Sequence, residues 1–301
     1  MPDIKTIGFI GIGNMGRPMA ANLVKGGYQV VIYDLDAKRA QQAAKDIGAT
    51  AATLAEMGKQ TDAVITMLPT GKEVRACLFE SEGGALANNL PKGALVIDMS
   101  SSDPVGSRET HADLAKRGLA FVDAPVSGGV PRATDGSLAI MIGGDAAAVE
   151  AAKPVLAKMG KRLFAVGGPG NGHAMKALNN FVAGTAFIAV SEALLVGRKF
   201  GLDPGAMVDV MDASSGHSFC TEHVAKQHVV SRQFASGFAL GLMAKDVGIA
   251  AGLARAIGSD SPLIGMSSAL FDEARDKVGS EKDHTLAYTH WEARDKKAAA
   301  E

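Results

Sequence analysis

Lys176 and Asn180 stand one helical turn apart in the stretch Gly170-Asn171-Gly172-His173-Ala174-Met175-Lys176-Ala177-Leu178-Asn179-Asn180, so on a helix they share a face. A lysine held among apolar neighbours is costly to keep charged. Desolvation lowers its pKa until it can take and return a proton near neutrality. Asn180 is spaced to orient that amine or to hold an oxygen of a substrate. The two glycines before it allow close approach at the mouth of the helix. A single helical lysine is more often a solvated side chain. The apolar surroundings, just past the glycine-rich junction at 167–170, weaken that reading.

Two further stretches offer groups suited to a small acid. Asp123-Ala124-Pro125-Val126-Ser127-Gly128-Gly129 leaves an apolar run with one hydroxyl, on Ser127, and the unhindered N–H groups of Gly128 and Gly129. That set suits a carboxylate. An ordinary Pro/Gly loop reads the same way, and the residues alone leave both open. Lys245-Asp246 opens an apolar helix behind Gly237, Phe238 and Gly241. Lys245 has the reach for a substrate carboxylate or a cofactor, although a capping ion pair with Asp246 accounts for it on local grounds. His217, Cys220 and His223 are zinc-type side chains in H-x-x-C-x-x-H. Steps of three drift around a helix and no CxxC or HExxH accompanies them, so no metal is expected. His111, His284 and His290 read as surface or cap residues.

The cofactor signal lies near the N-terminus. Gly11-Ile12-Gly13-Asn14-Met15-Gly16 gives G-x-G-x-x-G directly after an apolar run and before a helix starting near Asn14. The first glycine permits the tight turn, the second lets backbone approach a pyrophosphate, and the third lets helix pack on strand. The helix N-terminus offers N–H groups and the positive dipole end to phosphates. A second apolar run, 28–33, ends in Asp34, about 20 residues past the turn, where a carboxylate binds an adenosine ribose. Asp34 favours NAD over NADP because it repels a 2′-phosphate. Arg39 is close enough in sequence to serve such a phosphate, so NADP stays open.

The elements that must position these groups alternate in the first half of the chain. Strands are expected at 4–10, 28–33, 63–68, 95–99, 120–124, 138–142 and 163–166. Helices are expected up to about 25 and at 36–46, 54–57, 72–79, 105–117 and 145–159, with a Gly83-Gly84 break after the fourth. Such alternation predicts an α/β, Rossmann-type, doubly wound parallel sheet. Ligands sit at the carboxyl ends of its strands, which singles out the loops at 11–16, 68–70 and 100–102. Strand patterns vanish after Gly167. A long, largely buried helix is expected from 173 to about 199, then helices at 204–212, 219–230, 242–257, 263–278 and 284–294, with cap-plus-proline starts at Asp203-Pro204 and Ser261-Pro262. The tail 294–301 reads as frayed. The predicted domains are 1–167, a nucleotide domain, and 168–301, an all-helical substrate and oligomerisation domain, with a small substrate between them.

Composition narrows the class. The chain has 301 residues, 47% hydrophobic and 21% charged, with a net charge of −1. That is a globular composition with no electrostatic case for nucleic acid or an anionic membrane. The apolar run 181–196 is interrupted by Ser191 and Glu192, so no membrane span is expected. Two cysteines, Cys77 and Cys220, are too few for a disulfide framework and point to a reducing compartment, the cytoplasm. No basic-then-apolar leader is visible.

Together, Gly11–Gly16 with Met15, 123–129, 170–180 and Met243-Ala244-Lys245-Asp246 resemble the β-hydroxyacid dehydrogenases over about residues 4–295. That family includes 3-hydroxyisobutyrate dehydrogenase and the tartronate and glyoxylate/succinic semialdehyde reductases. The resemblance implies that Lys176 is the catalytic lysine and that Asn180 helps hold the substrate. It implies that Ser127, Gly128 and Gly129 bind the substrate carboxylate and that Lys245 closes over substrate and cofactor. Ile12, Asn14 and Met15 join the glycines on the cofactor, with Leu68 and Pro69 on its adenosine side and Ser101 where the family commonly has threonine. It also implies a homo-oligomer, dimer or tetramer, built on the long helix. The segment 214–219, where members differ by substrate, matches no one specificity. The implied activity is NAD-dependent hydride transfer with a small 3-hydroxy acid or its semialdehyde. The alternatives are an NADPH-linked semialdehyde reductase and, in another class, a non-catalytic dinucleotide-binding protein. Imine reductases share the architecture, but Lys176 speaks against them.

Overall fold

Strands β1 (Thr6–Ile10), β2 (Gln29–Tyr33), β4 (Ala63–Thr66), β5 (Leu95–Asp98) and β6 (Ala120–Asp123) pair in parallel, with the short β3 (Thr50–Ala51) on the outer side of β2. They read as unbroken apolar runs because helices cover both faces. In this computed structural model residues 3–81 and 85–298 are described; the expected Gly83-Gly84 break lies outside them. The full order is β3-β2-β1-β4-β5-β6-β8-β7, with β9 (Gly160–Gly167) paired to β8 (Leu138–Gly144).

The wholly parallel sheet expected from sequence needs one correction. β8 runs antiparallel to β6 and to β7 (Val126–Ser127). The chain does not turn away after Asp123; it steps past Pro125, whose carbonyl accepts the Met141 N–H at 3.1 Å, and continues along β8. The 123–129 stretch is therefore partly strand. It then enters a short helix, α7 (Gly129–Asp135), which the sequence pattern did not mark.

One face of the sheet packs on α1 (Gly16–Lys25), α2 (Ala37–Ile47), α7 and α8 (Ala146–Leu156), through Met19, Leu23, Ala43, Ala133 and Val155. The other packs on α3 (Leu54–Gln60), α4 (Gly71–Arg75), α5 (Ala85–Asn89) and α6 (Pro104–Ala115), through Met57, Val74, Leu86 and Leu114. Residues 76–80 continue α4 as a π-helical turn.

The chain divides into compact units Met1–Lys176 and Ala177–Glu301, a division that falls inside α9 (Asn171–Phe200). The second unit holds α10 (Pro204–Asp212), a π-helical segment Thr221–Val230, α11 (Leu240–Ala256), α12 (Pro262–Val278) and α13 (Ala287–Ala298). Its core gathers Phe187, Phe271, Tyr288 and Trp291.

Several expectations are revised here. α9 runs unbroken through Ser191 and Glu192, because neither residue obstructs helical backbone. It is long and apolar enough to cross a membrane by length and composition, with 44% of its most apolar window buried inside the protein. α13 continues to Ala298, so residues 294–298, expected to fray, are helical, and the rest of that tail lies outside the described residues. Asp203 caps α10 by accepting the Ala206 N–H, but Ser261 does not cap α12; its hydroxyl meets Ser259. His284 is no surface residue. It lies edge-on to Phe187 at 5.1 Å, and burial lowers its pKa. Cys77 and Cys220 are free and buried, which pushes each thiol up to about 12.

Candidate active site

The glycine turn leaves β1 at Ile10 and enters α1 at Gly16, with the Gly11 N–H donating to the Tyr33 carbonyl at 3.0 Å. Gly11 and Gly16 are glycine for internal reasons. A Cβ on Gly16 would collide with the Gly11 carbonyl, and one on Gly11 with the Met67 carbonyl. Gly13 differs: a Cβ there meets nothing within 4 Å. α1 also lacks a side-chain cap, whereas α2, α3, α4, α6 and α10 are capped by Asp36, Thr53, Thr70, Asp103 and Asp203. Open N–H groups beside an exposed glycine fit the phosphates of a dinucleotide.

Asp34 sits under this turn, 8% exposed. Its Oδ2 accepts the Ile12 N–H at 2.9 Å, and its Oδ1 accepts the Asp36 N–H at 3.0 Å and Arg39 Nη2 at 2.5 Å. Burial alone would raise its pKa. The hydrogen bonds from Arg39, Asp36 and Ile12 and the charge of Arg39 outweigh it and hold the group below the usual carboxylate range. Asp34 is therefore an anion beside the glycine turn. A cavity of about 430 Å³ opens beside it, lined by Gly13, Asn14, Arg17, Arg39 and Gln42 among others. Arg17 is occupied with Asp46 at 2.6 Å.

The loops after β4 and β5 are tied together. The Leu68 N–H donates to Ser100 Oγ at 2.9 Å, which sets Leu68, the exposed Pro69 and the half-buried Ser101 along the carboxyl ends of the strands. Ser127 is half-buried and fixed by the pairing of β7 with Ala139. Gly128 and Gly129 turn the chain into α7 with φ of 134° and 65°, a left-handed pair that a side chain would strain, and no side chain caps that helix.

α9 begins at the same edge. Asp123, the last residue of β6, accepts the Gly170 N–H on Oδ1 at 2.8 Å and the His173 N–H on Oδ2 at 2.9 Å. Its carboxylate caps a helix that starts more than forty residues later in the chain, at Asn171. Gly172 allows the approach: a Cβ there would lie 2.6 Å from the Asp123 and Met141 carbonyl oxygens. The half-buried Lys176 follows in the second turn.

In the second unit, Asn180 and Lys245 meet one buried carboxylate. Asn180 Nδ2 donates to Asp246 Oδ2 at 2.6 Å, and Lys245 Nζ lies 3.4 Å from Asp246 Oδ1. Lys245 stands in the second turn of α11, so this pair is not a cap. In the sequence Asp246 reads only as a capping partner of Lys245, and Asp98, Asp123 and His173 have no role of their own. An aspartate closing an otherwise apolar strand was the available signal for the first two. Of the histidine–cysteine set, Cys220 is buried, His217 pairs with Asp212 at 3.0 Å, and His223 lies edge-on to Phe219. Among the described residues no group of three or more such side chains is placed to hold a metal ion.

Two family models match successive parts of the chain. Residues 6–168 match the NAD binding domain of 6-phosphogluconate dehydrogenase, and residues 170–291 match the NAD-binding domain of NADP-dependent 3-hydroxyisobutyrate dehydrogenase. An NAD-dependent L-serine dehydrogenase of Pseudomonas aeruginosa is 37% identical over 290 residues, covering 94% of this chain and 96% of the relative. A 3-hydroxyisobutyrate dehydrogenase of the same organism is 37% identical over 271 residues, covering 88% and 90%. The solved 3-hydroxyisobutyrate dehydrogenase of Mycobacterium tuberculosis with L-serine superposes with a TM-score of 0.88 at 32% identity, covering 96% of this chain and 99% of that one.

Proposed function

Since the chain belongs to the β-hydroxyacid dehydrogenase family and is an NAD(P)-dependent hydroxyacid dehydrogenase, we propose that it prefers NAD and acts on a short 3-hydroxy acid of the 3-hydroxyisobutyrate or serine kind. The bound nicotinamide supplies the hydride acceptor. Lys176 takes the proton from the substrate hydroxyl as the carbon is oxidised and returns it in the reverse direction. Ser127 and the N–H groups of Gly128 and Gly129 hold the substrate carboxylate. Asn180, oriented by Asp246, holds a substrate oxygen, and Lys245 adds positive charge. Gly11–Gly16, Asp34, Leu68, Pro69 and Ser101 hold the cofactor. The observation that carries this reading is the half-buried Lys176 in the second turn of a helix whose first turn is capped by the Asp123 carboxylate.

The test is a spectrophotometric screen with NAD and with NADP. It offers 3-hydroxyisobutyrate, serine, glycerate, threonate, 3-hydroxypropionate and 4-hydroxybutyrate, with glyoxylate and semialdehydes in reverse. No turnover on any of them with either cofactor sinks the reading and leaves a non-catalytic dinucleotide-binding protein. A second reading, an NADPH-linked semialdehyde reductase, draws support from Arg17 and Arg39 lining the cavity beside Asp34. Asp34→Asn separates the two. It removes the charge that repels a 2′-phosphate and frees Arg39, so the ratio of kcat/KM for NAD to that for NADP falls about tenfold or more, roughly 1.4 kcal/mol or above. An unchanged ratio in steady-state kinetics rejects Asp34 as the discriminator.

Met175, Leu178, Val182, Val196 and Phe200 are exposed apolar residues of α9. Such a face supports a second copy as its cover, hence a dimer or tetramer. A monomer in sedimentation at micromolar concentration excludes this. A net charge of −1 gives neither nucleic acid nor an anionic membrane a hold, and the buried free thiols of Cys77 and Cys220 fit the reducing cytoplasm. A tagged chain found in another compartment rejects that location.

A further inference from the structure

His173 lies in the first turn of α9, 1% exposed, three residues before Lys176. Both of its ring nitrogens are engaged. Nε2 is 3.1 Å from the Ser100 carbonyl oxygen, which only accepts, so Nε2 carries a hydrogen and donates it. Nδ1 is 2.8 Å from Ser107 Oγ on α6. The buried carboxylates of Asp98 and Asp123 flank the ring, at 3.7 Å from Nε2 and 3.8 Å from Nδ1. Asp98 is itself locked by Thr66 Oγ1 at 2.9 Å, the Ser100 N–H at 3.0 Å and Ser102 Oγ at 2.7 Å.

A buried polar network of this kind costs desolvation at every member and is tolerated only when each is satisfied. Attachment of the helix does not require it. Asp123 already caps α9 through two backbone N–H groups, and Gly172 already permits the close approach. What the ring adds is direction. The Asp123 cap engages only backbone N–H groups of the first turn. The bond from Nε2 to the Ser100 carbonyl adds a side-chain tie to the loop carrying Ser101, and the contact with Ser107 adds one to α6, so the azimuth of the first turn is set by the ring as well. Residues three apart are neighbours on a helix, so whatever fixes the azimuth of His173 fixes that of Lys176. We propose that His173 is a positioning residue that holds Lys176 in register with the Ser100–Ser102 loop. This rests on the reading of Lys176 as the proton carrier.

The test compares the wild-type chain with His173→Ala, His173→Gln and Ser107→Ala. A displaced proton carrier costs rate rather than affinity. In His173→Ala, kcat falls about 10- to 30-fold while KM for the acid stays within about threefold. The deuterium isotope effect on kcat rises and the pH–rate profile changes. Glutamine can donate to the Ser100 carbonyl, so His173→Gln returns kcat to within about threefold of wild type. Ser107→Ala removes one of the two anchors and gives a smaller loss with the same signature. An activity-independent readout accompanies these: pulse labelling of lysines with an amine-reactive reagent, quantified peptide by peptide. The rate at Lys176 relative to other lysines shifts in His173→Ala and recovers in His173→Gln. Unchanged kcat and unchanged relative labelling in His173→Ala overturn the proposal. So does a loss of kcat that follows the folded fraction with isotope effect, pH profile and labelling as in wild type. Should alanine at 173 prevent folding, Ser107→Ala decides by the same readouts. A wild-type chain inactive on every acid sinks the activity reading instead, and the labelling result still decides the role of His173.

Discussion

Lys176→Ala binds NAD as the wild type does and loses turnover by about 10³-fold, because proton transfer by a positioned side chain contributes roughly 10²–10⁴-fold. The groups proposed to hold the cofactor sit on other elements, the Gly11–Gly16 turn and Asp34 just past β2. Lys176 is half-buried in the second turn of a helix capped elsewhere, so alanine, a good helix former, leaves the fold in place. Lys176→Arg separates charge from proton transfer. Guanidinium keeps the charge but cannot give up its proton at any working pH, so arginine fails as alanine does. Small primary amines added to Lys176→Ala restore part of the rate, whereas they do nothing for Lys176→Arg, whose side chain fills the space. Stopped-flow NAD titration and steady-state kcat check both halves. A kcat within tenfold of wild type in Lys176→Ala removes the lysine from the chemistry.

Much of this arrangement was legible in the sequence, and the missing parts share a physical cause. The runs at 63–66 and 95–98 read as strands because both faces of a parallel sheet are covered, so the signal is local. The spacing of Lys176 and Asn180 is likewise local. β7 was not legible. It is two residues between Pro125 and Gly128, and only its pairing with Ala139 and Ile140 makes it a strand. The cap on α9 was hidden for the same reason: Asp123 and the N–H groups it accepts are 47 and 50 residues apart. Asp246 holds Asn180 across 66 residues. A histidine in a glycine-rich turn carries no mark of burial, so nothing in the sequence assigns His173 a role, and His284, which reads as a surface or cap residue, packs on Phe187. The groups proposed to carry the chemistry are visible by type and spacing. The carboxylates that aim them were not, because their partners come from tertiary contact.

Gly13→Val folds with near wild-type stability and loses NAD affinity by about 100-fold or more, roughly 2.7 kcal/mol. The three glycines of one turn are expected to fail in different ways, and the difference locates the ligand. A Cβ on Gly16 would collide with the Gly11 carbonyl, and one on Gly11 with the Met67 carbonyl, where φ is also +95°. Gly16→Ala and Gly11→Ala therefore lower the melting temperature before any cofactor is added, since backbone cannot yield as a flexible side chain can. At Gly13 an added Cβ meets no protein atom within 4 Å, and the backbone is not left-handed. Nothing in the protein requires glycine there. The remaining requirement is close approach of a phosphate-bearing ligand to the N–H groups that open α1, which no side chain caps. Calorimetric titration with NAD and a thermal melt without it give the two halves of the result. A melting temperature that falls in Gly13→Val as far as in Gly16→Ala would show that the turn, rather than the ligand, demands the glycine. Undiminished NAD affinity in a folded Gly13→Val would place the pyrophosphate elsewhere.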